Sequence, residues 1–213
     1  MRLPGLGDRA AEAVDRRGLL YVLASEPHLD PLMIRALVAL LVVVFVAVVV
    51  FFVAYAKLYR IPSAAMEPTL RCAAPALGCT GKASDRLLAI RLRWPFRGVS
   101  RGDIVAFRPP PKGAATCGAG GVFVKRVIAL PGETFAERNG SVYVNGKRLV
   151  ERYVKLRDHQ TIRLRRVAPR SYFLLGDARS QSCDSRVFGP VPRKNLIARV
   201  VATYWPPTRI VVR

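Results

Sequence analysis

Residues Ala36 to Ala56 form an unbroken stretch without one charged side chain, built almost wholly from Ala, Leu, Val and Phe with a single Tyr near its end. At about 1.5 Å per residue such a helix is long enough to cross a hydrocarbon core of roughly 30 Å. A cleaved leader would have a shorter apolar region, about 7–15 residues, followed by a small-residue cleavage site. Here Lys57, Tyr59 and Arg60 follow instead, as in a retained anchor with an interfacial belt. The stretch therefore divides the chain into a tail, residues 1–33, a membrane helix, residues 34–58, and a single domain, residues 59–213. Within the tail, Ala10 to Leu23 is compatible with a short amphipathic helix, and no chemistry is visible there.

Beyond the anchor the pattern changes to short apolar runs punctuated by Gly and Pro, which predicts a mainly β domain with few or no long helices. Strands are expected at Arg86–Leu92, Asp103–Phe107, Val122–Ala129, Ser141–Val144, Thr161–Leu164, Tyr172–Leu175 and Ile197–Tyr204. Asn139-Gly140 and Asn145-Gly146 bracket one of them, a pairing suited to tight hairpin turns. Pro109–Gly121, rich in Pro, Ala and Gly, reads as a loop.

The formal charge is +21. Such an excess points first to nucleic acid, where clustered cations release phosphate counterions. The basic and acidic residues balance before Lys57, five against five, so the whole excess lies beyond the anchor. The aromatic residues, however, sit mostly inside apolar runs rather than interleaved with the cations, which argues against a nucleic-acid partner and for a bilayer with anionic headgroups. Charge bias does not orient a long domain. The cysteines do: Cys72, Cys79, Cys117 and Cys183 all follow the anchor, as expected for disulfides on an exported, oxidising side. Three pairings are possible, and Cys72 with Cys79 plus Cys117 with Cys183 is the favoured one. No CxxC pair exists and His28 and His159 lie far from the cysteines, so no metal is expected, and no cofactor.

Acyl-group hydrolysis needs a nucleophile, an unprotonated base and donors for the oxyanion. A histidine base would have to be His159, flanked by Asp158 and Gln160 in a charged region and read as a solvated surface residue. Lysine is the alternative, provided burial lowers its pKa toward neutrality. Lys125 lies in the apolar run Val122–Leu130, where alternation puts Phe123, Lys125 and Val127 on one face and Val124, Arg126 and Ile128 on the other. One of the two cations should face inward if either face is buried.

Four segments, in order, resemble the signature boxes of bacterial type I signal peptidases. They are Pro62-Ser63-Ala64-Ala65-Met66-Glu67-Pro68-Thr69-Leu70, Arg101-Gly102-Asp103-Ile104-Val105-Ala106-Phe107, the stretch from Val124 to Glu133, and the stretch from Gly176 to Arg186. The resemblance implies a signal-peptidase-like β domain on one N-terminal transmembrane helix, in the plasma membrane with the domain on the extracytoplasmic side. It implies a serine endopeptidase that removes signal peptides from exported preproteins with a Ser/Lys dyad. Carried onto this sequence, Lys125 is the general base, Ser63 supplies an oxyanion-hole hydroxyl, and Ser182 orients Lys125. Met66 follows the nucleophile position, while Asp177, Asp184 and Arg186 brace the site.

The nucleophile position holds Ala65, where the family has serine, so the resemblance implies a chain that binds a precursor and does not cut it. Both an engineered serine-to-alanine form and a natural pseudo-peptidase fit that departure. Ala178, where the family usually has asparagine, is a milder one. A Cys117–Cys183 bond would tie the loop before Lys125 to the residue beside Ser182. Other readings compatible with the sequence are a specialised peptidase maturing pilin-like or conjugation subunits and a membrane-tethered nucleic-acid binder.

Overall fold

A computed structural model describes residues 30–93, 98–118 and 120–213. The expected amphipathic helix at Ala10–Leu23, the residues before Asp30 and His28 lie outside the described residues. The described residues fall into two units that meet between Val50 and Phe51 in the chain.

Helix α1, Pro31–Tyr55, has 25 residues and none of them is buried. It is apolar on every side and long enough to cross a membrane. The helix ends earlier than the charge pattern implied: Ala56–Arg60 is a strand, β1, paired with Arg86–Arg91, β2. Lys57, Tyr59 and Arg60, read as the interfacial flank of the anchor, are thus sheet residues. Their alternation is faint because β1 is an edge strand with only Ala56 and Tyr59 partly covered.

The unit from Phe51 onward is mainly β. The remaining strands are β3 (Ile104–Phe107), β4 (Phe123–Ala129), β5 (Thr134–Arg138), β6 (Ser141–Val144), β7 (Lys147–Arg148), β8 (Ile162–Arg166), β9 (Ser171–Leu175), β10 (Val191–Pro192), β11 (Leu196–Trp205) and β12 (Val211–Val212). They make an antiparallel sheet of order β1-β2-β11-β3-β4-β9-β10, with β12 on β11, and a smaller sheet of order β7-β6-β5-β8. All seven strands expected from the sequence are present. The Asn-Gly turns join β5 to β6 and β6 to β7, and both asparagines take the left-handed conformation that such turns require (φ 45° and 49°). The segment expected to be a plain loop instead holds a short helix, α2, Pro111–Thr116, started by a proline whose missing N–H costs nothing in the first turn. A second short helix, α3, spans Ser185–Phe188 and is capped by the Asp184 carboxylate, which accepts from the Arg186 N–H.

One core lies between β2, β3, β11 and the turn at Ala64–Met66, with Leu70, Leu87, Ala89, Ala106 and Ala198 buried. Another joins Phe135 and Val142 of the small sheet to Phe173 and Leu175 of the large one, the two phenyl rings stacked at 3.9 Å between centroids. Two buried ion pairs cross the same junction. Arg179 donates from Nη1 to Glu151 Oε2 at 3.0 Å and from Nη2 to Oε1, and Arg186 donates to Asp158 at 2.5 Å. Removing one member of a buried pair strands the other charge away from water, at a cost of about 3–5 kcal/mol. Glu151→Ala should therefore lower the melting temperature of the full chain in detergent by several degrees, whereas Arg152→Ala, at an exposed neighbour, should leave it unchanged.

Candidate active site

Lys125 sits on β4, between β3 and β9 near the middle of the large sheet, opposite Val105. Its residue is 5 % exposed. Of the two cations on this strand it is Lys125 that turns inward. Arg126, on the other face, grips Asp177 with Nε and Nη2 at 2.9 and 2.6 Å and stacks over the Tyr153 ring. Burial removes water from the Lys125 ammonium and lowers its pKa from 10.5 to about 8; Asp184 and Asp177 oppose this shift and Arg186 reinforces it. Each carboxylate is also paired with a guanidinium: Asp177 with Arg126, and Asp184 with the Arg186 Nε at 2.9 Å and Nη2 at 3.0 Å.

A cavity of about 370 Å³ opens beside Lys125, and Ser63, Ala65 and Met66 line it. These three lie at the 3-10 turn Ala64–Met66, which follows β1. Ser63 occupies the turn's N-cap position in extended conformation, yet its hydroxyl caps nothing and stays exposed to the cavity. Ala65 is buried, and its carbonyl accepts from the Ala178 N–H at 3.2 Å. Glu67, also buried, holds the next loop by accepting from the Thr80 Oγ1 at 3.0 Å and the Cys72 N–H at 3.2 Å.

Ser182 follows the 3-10 turn Arg179–Gln181, and its Oγ is buried without a hydrogen-bond partner. The backbone around it is clamped by Arg186, whose Nη2 donates to the Arg179 carbonyl at 2.7 Å. Gly176 lets these pieces meet. A Cβ there would fall 2.1 Å from Ser182 Oγ and 2.4 Å from the Ala65 carbonyl oxygen. Cys72 is bonded to Cys79 and Cys117 to Cys183, with Cα atoms 5.0 and 5.9 Å apart. Both members of the second bond line the cavity. His159 is exposed, its Nδ1 3.0 Å from Asn139 Oδ1.

The signal peptidase, peptidase S26, profile matches residues 33–205, a range that includes every residue of this site. The chain belongs to the signal peptidase S26 family. A signal peptidase I from Leptolyngbya laminosa is 36 % identical over 88 % of this chain and 87 % of its own length. A probable signal peptidase I-2 from Synechocystis is 36 % identical over 75 % of this chain and 66 % of its own, and signal peptidase I V of Bacillus subtilis is 32 % identical over 65 % and 80 %. The mainly β architecture with one N-terminal apolar helix agrees with the fold class expected for that family.

Several contributors to this site were not singled out from the sequence. Gln181 lines the cavity beside Cys183, and Tyr59 and Ile61 line it from β1 and the residue that follows it. The role of Gly176 was hidden because a close approach between three separate segments leaves no mark except the glycine itself. Gly176→Ala must push Ser182 and Ala65 apart, and overpacking of this kind costs about 1–3 kcal/mol. Its melting temperature should fall accordingly. Lys125→Met should do the reverse. With a native pKa near 8 and an unfolded one near 10.5, the unfolded chain binds more protons between those values, so stability rises with pH across that window. Below pH 8 the buried ammonium costs on the order of 3 kcal/mol. At pH 7 Lys125→Met should melt at a higher temperature, and its stability should no longer climb between pH 8 and 10.5.

Proposed function

We propose that the cavity is a signal-peptide cleavage site of the serine/lysine type from which the nucleophile is missing. The observation that carries this reading is the meeting of a buried, pKa-lowered Lys125 with Ser63 and Ala65 in one cavity, in a chain of the signal peptidase family. In the complete machinery a serine hydroxyl at position 65 attacks the scissile carbonyl carbon while Lys125 Nζ accepts the hydroxyl proton. Negative charge gathers on the carbonyl oxygen, where the Ser63 hydroxyl and a backbone N–H donate to it. Ser182 Oγ, buried and without a hydrogen-bond partner in this structure, would take up the lysine amine as its partner and hold it in its accepting orientation. The lysine then returns its proton to the leaving amine, and a water repeats the sequence on the acyl-enzyme.

In this chain the attacking atom is replaced by a methyl hydrogen. Losing the nucleophile from an otherwise intact serine site costs on the order of 10⁶-fold in rate, so the chain as it stands binds preprotein ends without cutting them. A cavity of about 370 Å³, walled by Ile61, Met66, Phe123 and Val124, suits small apolar residues such as those that precede signal-peptide cleavage points. Helix α1 would hold the site at the bilayer, with the N-terminus in the cytoplasm and the disulfide-bearing unit on the oxidising side. Ala65 itself favours a second reading, a pseudo-peptidase that retains or presents signal peptides.

Restoring the missing atom separates the two. Ala65→Ser should cleave a fluorescent signal-peptide substrate in detergent, and adding Lys125→Ala should abolish that cleavage. Because the base must be neutral, kcat/KM should rise about tenfold per pH unit below pH 8 and level off above it. If Ala65→Ser binds the substrate and cuts nothing, the pseudo-peptidase reading replaces the first.

A further inference from the structure

The small sheet and its connections, residues 133–170, carry ten lysines and arginines against four carboxylates. All four acids are engaged by arginines from outside this segment. Glu133 pairs with Arg101 at 2.6 Å, Glu151 with Arg179, and Arg186 reaches both Asp158 at 2.5 Å and Glu137 at 3.7 Å. The ten cations keep none of them: every one is exposed, and among the described residues none has a carboxylate within ion-pair distance. The segment has spent its negative charge on its junction with the large sheet, so its free surface is almost purely positive.

Strand register gathers part of this charge on one face. Arg148 stands opposite Tyr143, Tyr143 opposite Ala136, Arg138 opposite Ser141 and Arg166 opposite Thr134. Cross-strand partners share a face, so Arg138, Arg148 and Arg166 project from the same side as Tyr143, and Leu164, two residues from Arg166, joins them. The opposite side carries Phe135, Val142 and Val144 into the core. Arg138 lies over the Tyr143 ring, 5.1 Å from its centroid, and Leu164 is 64 % exposed.

We infer that the outward face of the small sheet, Arg138, Arg148 and Arg166 around Tyr143 and Leu164, is a docking surface for the anionic headgroups of a lipid bilayer. Three observations select that partner. The chain carries a helix apolar and long enough to cross a membrane, so a bilayer is tethered to this surface at high effective concentration. An exposed leucine and a single aromatic ring among arginines match the boundary between headgroups and acyl chains. A polynucleotide would call instead for a groove with several stacking rings. The inference is independent of the chemistry at Lys125 and Ala65 and holds whether or not the chain cleaves anything.

The full chain reconstituted in nanodiscs tests it. Hydrogen exchange across residues 134–166 is compared in discs of phosphatidylcholine alone and in discs with roughly one-third phosphatidylglycerol. The inference predicts slower exchange, and slower trypsin cleavage after Arg163, Arg165 and Arg166, in the anionic discs only. The difference should vanish on the order of 1 M salt, where the screening length is about 3 Å. R138E/R148E/R166E should also abolish it, since three cations together account for a roughly hundredfold shift in the occupancy of an anionic surface. Unchanged exchange in β4 and β9 controls for folding; if the triple variant does not fold, Arg148→Gln and the salt series on the unaltered chain decide. Equal exchange in the two discs overturns the inference. So does protection that survives salt or charge reversal, or protection evoked by soluble polyglutamate or an oligonucleotide but not by phosphatidylglycerol.

Discussion

The site turns on one unfavourable act, the burial of an amine on a central strand. A lysine at the surface is protonated at neutral pH and useless as a base. Lys125 meets the requirement of the proposed mechanism because β4 lies between β3 and β9 and presents its inward face to protein rather than water. The nearby carboxylates could have undone this by holding the ammonium charged. Each is also bound by a guanidinium, Asp177 by Arg126 and Asp184 by Arg186, and desolvation, the largest influence, with Arg186 adding to it, takes the pKa down to about 8.

The same arginines connect the site to the fold. Arg186 reaches Asp158, beyond β7, and the carbonyl of Arg179, while Arg179 is itself locked to Glu151. The small sheet thereby fixes the turn that carries Ser182, without touching the cavity. The Cys117–Cys183 bond pins that turn from the other side, joining it to the loop that precedes β4. Ser182 is thus held by charge on one flank and by a covalent link on the other, with Gly176 giving it room. The family profile spans both the strands and these loops, as expected if the loops are positioned by the whole sheet.

Much of this was legible in the sequence, and the reasons differ by element. The strands at Phe123–Ala129 and Leu196–Trp205 announce themselves through long apolar runs, and the Asn-Gly turns through their backbone chemistry. Strand β5 did not, because Glu137 takes a fully buried inward position and breaks its alternation. Strand β1 did not, because its cations resemble the interfacial flank of the preceding helix. Of the cavity residues, Ser63, Ala65, Met66, Lys125 and Cys183 could be named in advance. Gln181, Tyr59 and the pairing of Asp177 with Arg126 could not, since they depend on which segments the sheet order makes neighbours.

Ala65 shows where the chemistry of the site and its architecture part. It is buried, lines the cavity with Ser63 and Lys125, and accepts from the Ala178 N–H, and under the proposed reading a serine hydroxyl at this position would complete the site. The lowered basicity of Lys125 is the property on which the proposed function rests. The most direct test is to titrate that amine in the full chain in detergent micelles, following the ε-position of specifically labelled lysine by NMR, with Lys125→Met to assign the signal. The account predicts one lysine titrating near pH 8, well apart from the rest. A Lys125 signal that titrates near 10.5 with the surface lysines would contradict it.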